Sequence, residues 1–356
     1  MATLKEIAEK LGVSVGTVSK GLNGADDISE TLRRSILDTA VEMGYTNSRT
    51  QKKIHRKMAV FIENMEYEDE NSFGYEIVMG FRKAAHNAHW GVDIYPVTPA
   101  FQEENRYENF LLQMKYSGAF ILGFSLGDPW MEQFHTASIP TLLLDNFIPE
   151  NPSIGSIGTD SEEAFDMAVS HLSALRHEKI AFLNGSSGSL ISDQRMACYL
   201  QSMLRHHLQV DPNLAIYGWY VADSAKYHVP GMIARGATAF LCGNDLIASG
   251  VISCCRELGF SVPEDISVIG FDDIPLAEEL DPPLTTICQN RFELGKSGFY
   301  GLQSMTDHVP LSKSLLRPTL IVRSSTAIAK PRLPEPCEAD QDSIIFKNPS
   351  LLARFT

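Results

Sequence analysis

The sequence predicts an all-helical N-terminal domain followed by a core of two α/β lobes. Three observations carry this. Residues 3–23 have the caps and spacing of two short helices joined by a tight turn. From Lys57 onward short apolar runs alternate with amphipathic segments, the pattern of parallel sheets covered on both faces. A length of 356 residues with 44% hydrophobic content exceeds one ordinary domain and supplies ample core.

The helical domain opens at Thr3, which stands three residues before Glu6 in the spacing of a capping box. Leu4, Ile7, Ala8 and Leu11 then share one helical face. Gly12 supplies the positive φ of a turn, and Ser14 can cap a second helix from Val15 to about Leu22. Val18 and Leu22 point inward there, which leaves Val15, Gly16, Thr17, Ser19 and Lys20 outward. A third helix, Ser29 to about Met43, closes the core with Leu32, Ile36, Leu37, Ala40 and Met43. The arrangement is a helix-turn-helix, a unit whose second helix enters DNA. A small helical domain that touches no nucleic acid is the plainer alternative.

Charge favours the first reading. The chain carries −14 overall, yet residues 1–57 hold ten Lys/Arg against seven Asp/Glu, or +3, and the remainder holds −17. Arg49, Lys52, Lys53, Arg56 and Lys57 crowd nine positions with no acid among them. A basic head on an acidic body suits a DNA reader with a separate sensory part, because phosphate neutralisation supplies most non-specific affinity. The 49–57 stretch is equally a solvated linker, and both hold if it orders only on DNA.

In the core, KMAVFIEN, GVDIYPV, AFILGFS, TLLLDNF, KIAFLNG, ATAFLCGN and ISVIGFDD are short apolar strands. Helices over about Tyr75–His89 and near Glu104–Ser117 fall between the first of them. One sheet spans about 58–157 and another about 158–286. Open parallel sheets bind ligands beyond the carboxyl ends of their strands. That rule selects Ser125, Asp145, Asn244, Asp245 and Asp272. No apolar run reaches the roughly 18 residues of a membrane span, and the amphipathic start is not a signal peptide. The six cysteines lack C-x-x-C spacing and read as reduced thiols, which points to the cytoplasm. Enzyme signatures are missing: GSSGS is not G-x-S-x-G, there is no P-loop, and the histidines lack metal spacing. His206 and His207 fall on a polar helix as surface residues. Catalytic residues, metal and cofactor are therefore expected to be none.

The N-terminal block resembles the LacI/GalR (lactose-repressor) family of bacterial transcription regulators. The resemblance rests on T-L-x-x-I-A-x-x-x-G-V-S-x-x-T-V-S-K-x-L-N from Thr3 to Asn23 and on M-G-Y at 43–45. It continues through SIPTLLLD, SIGTDSEEAF, HLSALRHEKIAFLNG, FLCGND, ELGFSVPEDISVIGFDD and PPLTTICQ, about nine-tenths of the chain. It implies a helix-turn-helix domain over 1–45, a hinge over 46–57, and a two-lobe core like periplasmic binding proteins. The first lobe would take 58–157 plus about 287–318, and the second 158–286 plus about 319–330. PPLTTICQ would head back toward the first sheet and LLRPTLIVRSS return to the second. Residues 331–356 read as a disordered tail.

The resemblance also implies roles. DNA contacts fall on Thr3, Ser14, Val15, Gly16, Thr17, Ser19, Lys20, Asn23, Arg49, Lys52, Lys53 and Ile54. Val15, Gly16 and Lys20 would set base preference, and Thr17, Ser19 and Arg49 would hold phosphate. Arg195 in SDQRMACY matches the family's effector-binding arginine. Phe73, Tyr220 and Phe292 stand where the family supplies aromatic rings, and Ser125, Asp145, Asn244 and Asp272 complete the effector set. The hinge departs from the family, with Asn47 for proline, Gln51 for alanine and Ile54 for the wedging leucine. Lys20 replaces a frequent arginine, which weakens bidentate guanine reading. The expectation is a homodimeric, cytoplasmic repressor on a pseudo-palindromic double-stranded operator, controlled by a small effector, a sugar or sugar derivative. A stand-alone sugar-binding protein without DNA regulation is the alternative.

Overall fold

The computed structural model describes residues 2–25, 27–43, 45 and 56–330. Helix α1 (Leu4–Leu11) begins at a reciprocal cap: Glu6 N donates to Thr3 Oγ1, and Thr3 N donates to the Glu6 carboxylate at 2.7 Å. It ends at Gly12, φ +64°, where the chain turns left-handed without penalty. Ser14 Oγ accepts from Thr17 N at 3.0 Å and starts α2 (Val15–Leu22). Ser29 starts α3 (Glu30–Glu42) in the same way. Ile7, Ala8, Val18, Ile36, Ala40 and Tyr45 form the centre, with Leu4, Leu11, Leu22, Leu32 and Met43 packed round its edge.

The chain divides into two compact units. Of the described residues, one holds those within 1–160, 188–193 and 289–318, and the other those within 161–187, 194–288 and 319–330. Chain order beyond α3 is β1 (Lys57–Ile62), α4 (Phe73–Asn87), β2 (Gly91–Pro96), α5 (Pro99–Glu104), α6 (Tyr107–Met114) and β3 (Gly118–Leu122). Next come α7 (Pro129–Gln133), β4 (Thr141–Leu144), β5 (Ile154–Thr159), α8 (Ser161–Ala174), β6 (Ile180–Asn184) and α9 (Leu190–Arg205). Then follow β7 (Ala215–Tyr217), α10 (Ser224–Ala234), β8 (Ala239–Cys242), α11 (Asp245–Glu257), β9 (Ser267–Asp272) and α12 (Leu276–Glu279). The last are β10 (Thr285–Cys288), α13 (Arg291–Thr306), β11 (Lys313–Leu316) and β12 (Thr319–Ile321).

The first unit's sheet runs β11-β5-β4-β3-β1-β2, wholly parallel. The second runs β12-β10-β9-β8-β6-β7, parallel except where β12 meets β10. Both faces of each sheet are covered. In β1, Met58, Val60 and Ile62 enter one apolar cluster while Ala59 and Phe61 enter another. In β6, Leu183 and Phe182 likewise part company. That two-sided burial is why the strands are continuously apolar instead of alternating.

Three sequence expectations need correction. The helix near Glu104–Ser117 is two helices, α5 and α6. Thr98 caps and Pro99 opens α5, and Asn105 is extended. Trp130 Nε1 donates to the carbonyls of Gln102 and Asn105, satisfying the helix end that the break exposes. The TTIC strand lies in the second sheet, beside β9, and the chain changes unit only after Cys288. The helix expected from Tyr75 starts at Phe73. Strands β5 and β7 join those named from sequence. Within the first unit, α3 also touches α6: Arg106 and Asn109 donate to Asp38 Oδ1 at 3.0 and 2.8 Å.

Candidate DNA-reading and effector-binding residues

On α2 the residues expected to face DNA are open to solvent. Val15 is 45% exposed, and Gly16, Lys20, Ser14 and Asn23 are exposed with it. Thr17 and Ser19 are half-buried. Thr17 Oγ1 lies 2.9 Å from Ser14 Oγ, and Asn23 Nδ2 donates to Ser19 O at 2.7 Å, so these four also hold the helix ends. Thr3 spends its hydroxyl on Glu6 at 3.0 Å. The Lys20 ammonium is paired with the Asp27 carboxylate. Arg49, Lys52, Lys53 and Ile54 lie outside the described residues.

The expected effector residues divide evenly, Phe73, Ser125, Asp145 and Phe292 in the first unit and Arg195, Tyr220, Asn244 and Asp272 in the second. In the first, Ser125 and Asp145 follow neighbouring strands β3 and β4. Gly123, φ +75°, turns the chain after β3, and Ser125 N donates to Asp128 Oδ2 at 2.6 Å. Asp145 takes φ +55° while its amide still donates to Ile157 O at 2.9 Å. Phe73 opens α4 half-buried, and Phe292 near the start of α13 is 36% exposed.

In the second unit, Arg195, Asn244 and Asp272 converge at the carboxyl ends of β8 and β9. Arg195 is 4% exposed, its guanidinium lies 3.9 Å from the Phe271 ring centre, and Nη1 donates to Gly243 O at 2.8 Å. Its buried Nε has no hydrogen-bond partner among the described residues. Asn244 caps α11, with Oδ1 accepting from Ile247 N at 2.8 Å. The Tyr220 ring lies against Gly185, where a Cβ would overlap it.

Asp245 differs from its neighbours. It is fully buried, accepting from Thr286 Oγ1 at 2.6 Å and from Ile274 N at 2.9 Å. It ties β10 and the loop after β9 together, and burial followed by the Asp272 charge pushes its carboxyl well up. Two strand-end residues escaped the sequence reading although the same rule finds them. Asn184 ends β6 fully buried, its Oδ1 accepting from Gly185 N at 2.8 Å. Glu63 follows β1, where burial and then the Asp128 carboxylate push it up to about 7. Gln102 Nε2 donates to Glu63, and Gln102 Oε1 accepts from Trp130 N at 3.1 Å, so this network frames the Ser125 loop. No spacing signal announces Gln102 or Asp128.

Among the described residues no group of His, Cys, Asp and Glu is placed to hold a metal, and no helix is long and apolar enough to cross a membrane. None of the five described cysteines is in a disulfide, and burial raises the thiols of Cys254 to about 11 and Cys255 to about 12. His206 is less open than expected, with Nε2 3.2 Å from Asp166.

A capped, solvent-facing reading helix on a chain that also builds two parallel α/β units defines a DNA-binding regulator with a ligand-binding core. Comparison with known proteins agrees. A family model described as bacterial regulatory proteins, lacI family, matches residues 3–48, and one described as periplasmic binding protein-like domain matches 169–326. The HTH-type transcriptional repressor CytR of Escherichia coli K12 is 28% identical over 330 residues, covering 91% of this chain and 96% of CytR. The repressor PurR of Vibrio campbellii is also 28% identical over 330 residues, 91% of this chain and 98% of PurR. The lac repressor dimer bound to operator and the anti-inducer ONPF matches with a TM-score of 0.65 and 26% identity, over 92% of this chain and 99% of that one. The regulator CelR in complex with cellobiose gives 0.69 at 24% identity, over 91% and 100%. The chain joins a helix-turn-helix domain of the lacI family of bacterial regulatory proteins to a periplasmic binding protein-like domain. It is a transcriptional regulator and not an enzyme.

Proposed function

We propose that this regulator is a cytoplasmic, homodimeric repressor whose affinity for a pseudo-palindromic operator is set by a sugar or sugar derivative. Val15, Gly16 and Lys20 read bases, while Thr3, Ser14, Thr17, Ser19, Asn23 and the 49–54 segment hold the backbone and the operator centre. Arg195, Asn244 and Asp272 grip the effector from the second unit, with Tyr220 as a stacking ring. Within the first unit the proposed effector contacts are Phe73, Ser125, Asp145 and Phe292.

The observation that carries the effector reading is Arg195. Only 4% exposed, with its guanidinium steadied on Phe271 and by Gly243 O, Arg195 retains a donor at Nε. Buried donors are normally satisfied, and a hydroxyl oxygen supplies what is missing. Planar, multiply bonding side chains with adjacent carboxylates and rings suit sugars. CelR, one of the similar structures, is a cellobiose complex, and the lac repressor structure is a dimer on its operator.

The test is thermal shift against a panel of mono- and disaccharides. A true effector at about 100 times its Kd stabilises by about 2.7 kcal/mol. Arg195→Ala and Asp272→Asn should keep the fold and operator binding while losing that shift. Unchanged shifts in both variants would place the effector elsewhere.

A further inference from the structure

The reading helix has a charged partner just beyond its end. Asp27 stands in the connection between α2 and α3, and its carboxylate takes the Lys20 ammonium. The connection holds it there. Ala25 N donates to Lys20 O at 3.1 Å, and Arg33 Nη2 donates to Ala25 O at 2.8 Å. Arg33 is itself only 15% exposed at its side chain, so the anchor is a packed one. The carbonyl of the lysine thus fastens the loop that carries the lysine's partner. Both charged side chains remain more than half open, at 56% and 58%, on the domain that carries exposed Val15 and Gly16.

An anion on a DNA-reading surface has to be accounted for, because the phosphates repel it. Fold stability does not account for it, since an exposed ion pair is worth about 0–1 kcal/mol. The hydrogen bond from Lys20 holds the Asp27 carboxyl below its usual range, so it stays charged at neutral pH. In the major groove a carboxylate finds a partner in the N4 amine of cytosine, while an ammonium finds O6 and N7 of guanine. An ammonium and a carboxylate side by side therefore match the edge of one G·C pair.

We propose that Lys20 and Asp27 act as a unit that reads one G·C pair in each half-site, with Asp27 the specificity-determining residue for the cytosine. This rests on α2 being the base-reading helix. Where thymine or guanine takes the cytosine's place, Asp27 meets an acceptor, O4 or O6, and rejects it. The same carboxylate weakens binding to random sequence, where it has phosphates to face and no amine to bond.

The test uses the full chain and an operator selected from a randomised DNA pool by the wild type. Kd is measured for that operator, for versions with each G·C pair replaced in turn, and for random-sequence DNA. The proteins are wild type, Lys20→Ala, Asp27→Ala and the double variant. The wild type should lose about 5- to 150-fold at one G·C position per half-site. Asp27→Ala should lose that preference at this position alone and bind random DNA more tightly. The double variant should bind random DNA more tightly than Lys20→Ala, which leaves Asp27 unpaired. If Asp27→Ala keeps every preference within twofold, or the double variant is no tighter than Lys20→Ala, the proposal is overturned. A wild type that binds DNA but enriches no sequence overturns the reading of α2, and the pair's role with it.

Discussion

At the scale of single residues, buried titratable groups make stability depend on pH in a legible direction. His177 is 3% exposed, with Nδ1 2.9 Å from Thr238 Oγ1 and Nε2 3.0 Å from Ala327 O. Burial holds its imidazole below the ordinary value, so the unfolded chain binds the proton first. Its contribution is present above about pH 6.5, the ordinary imidazole value, and is lost as pH falls toward the folded-state value. Glu63 acts in the opposite sense: pushed up to about 7, it favours the folded chain below the usual carboxylate range and loses that advantage as pH rises. The informative quantity is therefore a difference between proteins. Between pH 7.5 and 5.5, thermal unfolding of His177→Gln should lose less stability than the wild type does. Equal losses would show that His177 does not titrate on unfolding. Neither residue is legible as buried and titrating from the sequence, because His177 sits in RHEK and Glu63 in an ordinary strand end. Their environments come from chain segments far away in sequence.

At the scale of elements, two helices of the first unit meet backbone to backbone. A Cβ at Gly295 of α13 would overlap the Ile77 carbonyl of α4, and one at Gly80 of α4 would overlap that of Phe292. Arg291, 5% exposed at its side chain, adds a bond to Ser72 O at 3.1 Å and an ion pair with Glu76 at 3.1 Å. Gly295→Ala normally favours a helix by about 1 kcal/mol. Here it should instead destabilise by roughly 1–3 kcal/mol, because the carbonyl facing it is fixed backbone. A denaturant midpoint at or above wild type would contradict that close approach. The helices themselves follow from spacing and caps, as the agreement of α1 and α2 with Thr3, Gly12 and Ser14 illustrates. The α5–α6 break does not, since it depends on Trp130 reaching back to Gln102 and Asn105. The sheet that receives TTIC is equally hidden, because an apolar strand does not name its neighbour.

At the scale of the whole molecule, charge and periodicity separate a reading domain from a ligand-binding core before any coordinate is known. The polar residues just past the strands include Arg195's neighbours Asn244 and Asp272, and the strand-end rule of open sheets finds them. Asp245 shows where that rule over-reaches, since its oxygens are taken by Thr286 and Ile274 and it braces β10 and the loop after β9 from within. Asp27 shows where it falls short, because a pairing between a loop and a helix has no fixed spacing. In the proposed function the two parts are coupled by linkage: an effector changes DNA affinity only by its differential affinity for the two conformations.

The most direct measurement is operator affinity of the full chain with and without a sugar that the thermal-shift panel has identified, by fluorescence anisotropy at fixed salt. The account predicts that the sugar changes operator Kd by about 5- to 150-fold, the usual range of such coupling. It also predicts that Arg195→Ala binds operator like the wild type but no longer responds. A sugar that stabilises the protein yet leaves operator Kd within twofold would contradict the claim that the core governs the DNA-reading domain.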